Sequence, residues 1–201
     1  MKLNTLFQIL KDGIIALKRN YFSGRRDHYG YIDKTSIVYM PGQGAKQSVY
    51  LYENTVIHEY HNFITKSGKF FMRKNSIAAL GLTVITSNHS LSEIGDAPGG
   101  KGWNNLISND VIVEEDVWLG AHVTLCPGTH INRGCIVSAG SVCTKNNIYP
   151  PYSIIGGIPA KFIKFRFSLE DQINHEKIRF HENERIPTQI LEDNYNKFFK
   201  T

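Results

Sequence analysis

Nowhere in its 201 residues does this chain hold an apolar run approaching the roughly 18 that a membrane-spanning helix requires. Its first residues also lack the basic, apolar and small-residue order of a secretory signal, so a cytoplasmic location without integral membrane association is expected. Cysteine is scarce. Cys126, Cys135 and Cys143 are an odd number with no CxxC pair, which argues against a disulfide framework and a thiolate metal site and leaves them as small core fillers or exposed thiols. Charge of one sign is not in large excess, since 23 Lys and Arg face 18 Asp and Glu. The surplus leans toward the ends, in Lys11, Lys18, Arg19, Arg25, Arg26, Lys161, Lys164 and Arg166. Such a balance suits an anionic ligand or a merely solvated surface, and it is too mild and dispersed to predict a nucleic-acid partner. With 41% hydrophobic and 20% charged residues, the composition bounds one globular domain with short appendages.

What is present is a beat of six. From Ile107 to Ile148 the chain divides without a gap into ISNDVI, VEEDVW, LGAHVT, LCPGTH, INRGCI, VSAGSV and CTKNNI. The first places are Ile107, Val113, Leu119, Leu125, Ile131, Val137 and Cys143, and the fifth places are small or β-branched: Val111, Val117, Val123, Thr129, Cys135 and Ser141. One large and one small side chain per repeat are expected to point inward. Neither the period of an ordinary strand nor that of a helix gives this spacing, whereas a parallel β-helix does, each coil burying its face against the next. A charge at Leu119 or Val137 is expected to break the ladder.

The beat returns upstream in MRKNSI, AALGLT and VITSNH, with Met72, Ala78 and Val84 leading, and more faintly in LYENTV from Leu51 and IHEYHN from Ile57. Coil is therefore predicted over about 49–148. Val84 and Ile107 are 23 residues apart, so the two ladders are out of phase, and the Gly-, Pro- and Asn-rich stretch 90–106 must leave the coil as a loop. Such a long aperiodic loop points to function. Leu6, Leu10, Ile14 and Leu17 are spaced as an amphipathic helix, and Ser168 before Glu170 and Asp171 reads as a helix start. Both helices are expected to pack on the coil ends, which would otherwise expose strand edges. The division is an N-terminal helical segment 1–30, a β-helix domain 31–167 and a C-terminal helical extension 168–201.

The stretch VWLGAHVTLCPGTHINRGCIVSAGSVCTKNNIYPPYSIIGGIPAKFIK, with the upstream TVITSNH, resembles the signature of the hexapeptide acyltransferases, which include galactoside, maltose, polysaccharide and xenobiotic O-acetyltransferases. The likeness covers about 69–167, and KFRFSLEDQI is similar to the tail of the xenobiotic and polysaccharide branch. It implies a mainly β fold, a left-handed parallel β-helix with short terminal helices. The hand comes from the resemblance alone, because parallel crossovers are almost always right-handed. It also implies a homotrimer, with acetyl-CoA as co-substrate and a sugar or polysaccharide acceptor held in grooves between chains.

Acetyl transfer to a hydroxyl needs a base, and imidazole suits that task near neutral pH. Among eight histidines, His89 closes the VITSNH hexad at the mouth of the 90–106 loop and matches the catalytic histidine of the family motif. By the same resemblance acetyl-CoA contacts Ala121, Ala139, Thr144 and Lys145, with Lys161 and Lys164 reaching its phosphates. The family often has arginine at those two last places, and lysine lacks the planar fork that grips phosphate. Gly120, Ala121, Ala139 and Gly140 either admit the pantetheine arm or are simply required by tight corners. Trp118 either lines the groove or packs under a neighbouring subunit. The acceptor pocket is read from Asn62, Ser67 and the loop carrying Asp96 and Trp103; Trp103 either stacks on a sugar or anchors the loop.

The rival from another enzyme class is a γ-type carbonic anhydrase with zinc on three histidines, for which His89, His122 and His130 are candidates. His122 and His130 fall at different places of their hexads, which argues against that reading, and no metal is expected. A silent β-helix used for assembly or sugar binding would lack His89 or the groove. N-acetylation of an amino sugar stays open, since the same base serves both nucleophiles.

Overall fold

The structure, a computed structural model, describes residues 10–11, 28–39, 42–89, 94–95 and 106–199. Within them the chain winds as a parallel β-solenoid of about five turns, each turn laying down three short strands. The first coil comprises β1 (Tyr31–Ile32), β2 (Ile37–Val38) and β3 (Gly42–Gly44), and the second β4 (Val49–Leu51), β5 (Val56–Ile57) and β6 (His61–Ile64). The third holds β7 (Phe70–Met72), β8 (Ile77–Ala78) and β9 (Thr83–Ile85). An antiparallel arm follows, β10 (Ser87–His89) against β11 (Leu106–Ser108). The fourth coil is β12 (Val111–Val113), β13 (Trp118–Leu119) and β14 (Thr124–Leu125), and the fifth β15 (His130–Ile131), β16 (Ile136–Val137) and β17 (Val142–Cys143). The winding ends in β18 (Ser153–Gly157), which turns back into antiparallel β19 (Ala160–Phe165).

Stacking makes three faces. The first face is β1-β4-β7-β12-β15, the second runs from β2 to β19, and the third is β3-β6-β9-β14-β17. Leu51, Met72, Val113 and Ile131 fill the interior behind the first face; Ile57, Ala78, Leu119 and Val137 lie behind the second; and Val84, Leu125 and Cys143 lie behind the third. All are fully buried, at about 1.5–3 kcal/mol for each large aliphatic side chain. The fifth-place residues from Val111 to Ser141 are buried beside them. The fourth place of the hexad, unnoticed in the sequence, is the corner: Asn54, Tyr60, Asn75, Asp116 and His122 share positive φ with Gly81, Gly128, Gly134 and Gly140. Asn, Asp and Gly tolerate that backbone best, so the corner composition follows from sterics.

Ile107 is a correction. It was expected to lead the first downstream hexad into the core, yet it is 52% exposed, because it lies on the arm opposite Asn88. Met72 pairs directly with Val113, a separation of 41 residues where Val113 and Ile131 are 18 apart. The surplus of 23 residues leaves the solenoid as the arm and its loop, which is the phase break seen in the sequence.

The C-terminal extension also differs from expectation. Helix α1 (Leu169–Arg179) starts where predicted, with Ser168 Oγ accepting from the Asp171 amide at 3.1 Å. It runs along the edge between first and second faces rather than over the coil end. There the Arg133 guanidinium donates to Glu176, and Arg166 donates to Asp116, each at 3.0 Å. Lys74 pairs with Glu184, just beyond α1, at 3.0 Å. The final edge of the second face is covered instead by β19. A second helix, α2 (Thr188–Phe199), packs on β19 through Phe162–Phe198 and Phe165–Tyr195 ring contacts. Of the predicted N-terminal helix, only Leu10 and Lys11 fall within the described residues.

Candidate active site

The arm leaves the solenoid at the edge between third and first faces. Its root is fixed by backbone and side-chain bonds: the Asn109 amide donates to the Thr86 carbonyl (2.9 Å), Thr86 Oγ1 donates to the Ser67 carbonyl (2.5 Å) and the Lys69 amide donates to Asp110 (2.8 Å). His89 is the last residue of β10, half-buried, opposite Leu106. The fold thus holds this imidazole on a two-stranded arm pinned beside Ser67. Asp96 and Trp103 lie outside the described residues.

Other predicted residues frame the third face. Asn62 stands near its middle, half-buried and paired with Thr83. Ala121 and Ala139 line the edge between second and third faces, one coil apart, where the Gly140 amide donates to the Ala121 carbonyl at 2.8 Å. Thr144 and Lys145 sit on the other side, on the edge that carries the arm, and Gly128 lies between Lys145 and Asn109. The Thr144 amide donates to Tyr149 Oη at 3.0 Å, which fixes that corner. The glycines are explained by the coil itself: a Cβ on Gly120 would lie 2.7 Å from the Ala139 nitrogen, and Gly140 needs its φ of +71°. Around Gly140 there is open space.

Lys161 and Lys164 are not on that face. Both are exposed on β19 and line a groove of about 900 Å³ between β19 and α2, with Phe162, Phe165, Tyr195 and Phe198. Arg166 and Lys197 border it too. The aromatic lining was not read in the sequence, although KFIKFRF and YNKFF interleave rings with cations in plain view.

The two histidines considered with His89 for zinc have other places in the fold. His122 occupies a positive-φ corner against Gly81, and His130 lies on the first face with its Nε2 2.8 Å from Glu114. That contact holds the Glu114 carboxyl below its ordinary range. With His89 on the arm, the trio considered for zinc is spread over an edge, a face and the arm. Among the described residues no group of three metal-ligating side chains is assembled. Burial pushes the Cys135 thiol up to about 11 and that of Cys143 to about 12, so neither serves as a thiolate nucleophile.

Comparison with known proteins agrees with this architecture. Residues 110–145 match the profile described as Bacterial transferase hexapeptide (six repeats). A probable macrolide acetyltransferase from Lysinibacillus sphaericus is 35% identical over 142 residues, 64% of this chain and 72% of that protein. A putative lipopolysaccharide biosynthesis O-acetyl transferase from Escherichia coli (strain K12) is 27% identical over 84% of this chain and 76% of its own length. The solved hexapeptide-repeat acetyltransferase from Vibrio cholerae superposes with a TM-score of 0.65 at 21% identity, covering 79% of this chain and 90% of that one. The chain belongs to the hexapeptide-repeat acetyltransferase family.

Proposed function

We propose that the protein moves an acetyl group from acetyl-CoA to a hydroxyl of a sugar or polysaccharide, with His89 as general base. The observation that carries this reading is the pinned arm, which puts His89 at one border of a face whose other border is the small-residue edge of Ala121 and Ala139. In the reaction the acceptor oxygen forms the new C–O bond to the acetyl carbon and the thioester C–S bond breaks. The hydroxyl proton passes to His89 and then to the departing sulfur. A related Vibrio cholerae structure holds acetyl-CoA, and the Escherichia coli relative is named for lipopolysaccharide O-acetylation, which supports this choice of donor and acceptor. Lys161 and Lys164, beside an aromatic groove, suit the phosphates and base of the nucleotide end.

The active form in this reading is a homotrimer. Its support is an apolar stripe down the outside of the second face, where Ile37, Val56, Ile77, Trp118, Ile136 and Ile154 stand in register on successive coils. Trp118 is 52% exposed at its centre, a placement that favours packing under a neighbour. Among the described residues no helix is long and apolar enough to cross a membrane, and the proposed location is the cytoplasm, where acetyl-CoA is made available.

The test is mass spectrometry of a glycan panel incubated with labelled acetyl-CoA, using native protein and His89→Ala. Acetylated sugar is expected with native protein, and turnover is expected to fall by about 10²-fold or more in the variant, with its oligomeric state unchanged. Near-normal turnover in the variant, or no acetylated sugar, overturns the reading. A second reading, N-acetylation of an amino sugar, is favoured by the structural likeness to an N-acyltransferase from Bacillus cereus, TM-score 0.58. Mild alkali separates the two, since it releases an ester and spares an amide.

A further inference from the structure

The outward positions of the third face carry a column of neutral polar side chains. Gln43, Asn62, Thr83 and Thr124 stand in register on four successive coils, and Val142 follows them. They point away from the core, because their chain neighbours Phe63, Val84 and Leu125 are the buried ones. Beside this column runs a short apolar one, Ile64 in register with Ile85. Ile64 is 44% exposed.

The fold does not use these polar groups. Elsewhere on the coil, hydroxyls are turned in to carbonyls: Thr65 donates to Ala45, Ser76 to Glu114 and Thr129 to Cys143. The side chains of Gln43, Asn62, Thr83 and Thr124 make no hydrogen bond among the described residues. No charged side chain stands in the column either. At its borders Glu59 faces His58 at 3.5 Å, Lys46 is laid over the Tyr29 ring, and Lys66 and Lys145 lie on the edge with the arm.

The column has a head and a foot. A hollow of about 330 Å³ at its head is lined, among the described residues, by Gly42, Gln43, Tyr60 and His61. Tyr60 is 67% exposed, and no ring or cation packs on it among the described residues. At the foot, the strand of Thr83 runs directly into the arm that carries His89.

We infer that this column holds a neutral oligosaccharide of about three units, one to each rung from Gln43 to Thr83 at the roughly 4.8 Å spacing of stacked strands. Its far unit sits in the hollow against Tyr60, and its reacting unit lies at Thr83 beside the arm; this rests on the reading of the acceptor as a glycan. Amides and hydroxyls both donate and accept, as sugar hydroxyls require, while the Tyr60 ring and the isoleucines offer apolar surface to the C–H faces of the rings. A nucleic acid needs cations along its phosphates, and the column has none. A peptide strand needs an unpaired edge, whereas here the Asn62 amide is already bonded to the Leu82 carbonyl and the Thr83 amide to that of Val123.

The experiment is isothermal titration of the full chain, without acetyl-CoA, with malto- and cello-oligosaccharides of one to four units and with trigalacturonate. Affinity is expected to rise to the third unit by about fivefold per unit, the value of one neutral hydrogen bond, and then to level off, unmoved by salt. Gln43→Ala and Tyr60→Asn should each erase the gain of the third unit and leave that of the second. Asn tolerates the φ of +62° at position 60, so the corner is kept. Affinity independent of length, tighter binding of the acidic trimer, no binding in either neutral series, or a third-unit gain intact in both variants each overturns the inference. So does a lower oligomeric state of Gln43→Ala in sedimentation velocity, which would assign the column to a contact between copies. Length-dependent binding with no sugar acetylated would count against the transfer reading alone. Acetylation of single sugars and longer chains at equal rates would count against this one alone.

Discussion

Tyr152, at the last corner of the coil, donates its hydroxyl hydrogen to Glu176 of helix α1 across 2.6 Å. The same carboxylate accepts from Arg133 Nη1 and from the Ile186 amide, each at 3.0 Å, and Glu176 is 2% exposed. Burial, and then the bond to Glu176, raise the Tyr152 phenol far above its ordinary range. Removing one member of so enclosed a set strands the others. Glu176→Ala is expected to cost about 3–5 kcal/mol, measured by urea unfolding, and to speed tryptic cleavage within 168–199. Unchanged cleavage would mean that the extension is held by α2 on β19 alone.

Two corner glycines separate backbone strain from collision. Gly134 and Gly140 share a φ of +71°, but a Cβ on Gly134 would overlap the Tyr152 ring, whereas Gly140 faces open space. Gly140→Ala should cost about 1–2 kcal/mol from the left-handed backbone alone. Gly134→Ala should cost more, by a margin visible as a lower melting temperature. Equal losses would show that Tyr152 yields freely.

Trp118→Glu places a carboxylate at the centre of the apolar stripe without touching the interior, since Leu119 alone points inward from β13. Under the proposed trimer, sedimentation velocity is expected to give trimers for native protein and monomers for the variant, with the β signature in circular dichroism retained. Trimers in the variant would remove the second face from the interface.

Lys161→Gln combined with Lys164→Gln should raise the KM for acetyl-CoA by about tenfold and flatten its dependence on ionic strength. An unaltered KM at low and high salt would detach the β19 groove from the donor.

His61 gives a pH dependence. It is fully buried, packs at a tilt against Phe63 with centroids 4.8 Å apart, and Gly42 leaves the room its ring occupies. Burial holds its imidazole below the ordinary 6.5. Its Nδ1 lies 3.2 Å from the His58 carbonyl, Lys46 adds repulsion, and Nε2 has no hydrogen-bond partner among the described residues. Between the lowered folded value and 6.5 the unfolded chain binds more protons, so stability is complete above about 6.5 and declines as pH falls below it. Between neutrality and about pH 5 the melting temperature of native protein should fall further than that of His61→Leu, which lacks the titrating ring. Parallel curves would exclude His61 as the source.

The core was legible because six-residue spacing translates directly into inward-pointing rungs: Leu119, Leu125, Ile131 and Val137 were placed by counting alone. Ile107 was misplaced because counting sees spacing and not pairing; an aliphatic residue on an arm keeps the beat by accident. The corners were legible in principle, since Asn75, Asp116 and Gly134 occupy one place of the hexad, but the signal is diluted by His122 and Tyr60. His89 came from a motif, and only coordinates could show Ser67 at the root of its arm. The second helix and its groove were hidden because 188–199 has few apolar residues beyond its aromatics, and their partners on β19 are distant in sequence.

Because Met72 stands in register with Val113, and the Arg73 amide donates to the Val113 carbonyl at 2.8 Å, as though nothing intervened, the masonry above and below the arm is complete without it. Descendants of such a gene can lengthen, shorten or exchange that appendage while the tower stands, which would let new acceptors be tried at little risk to folding.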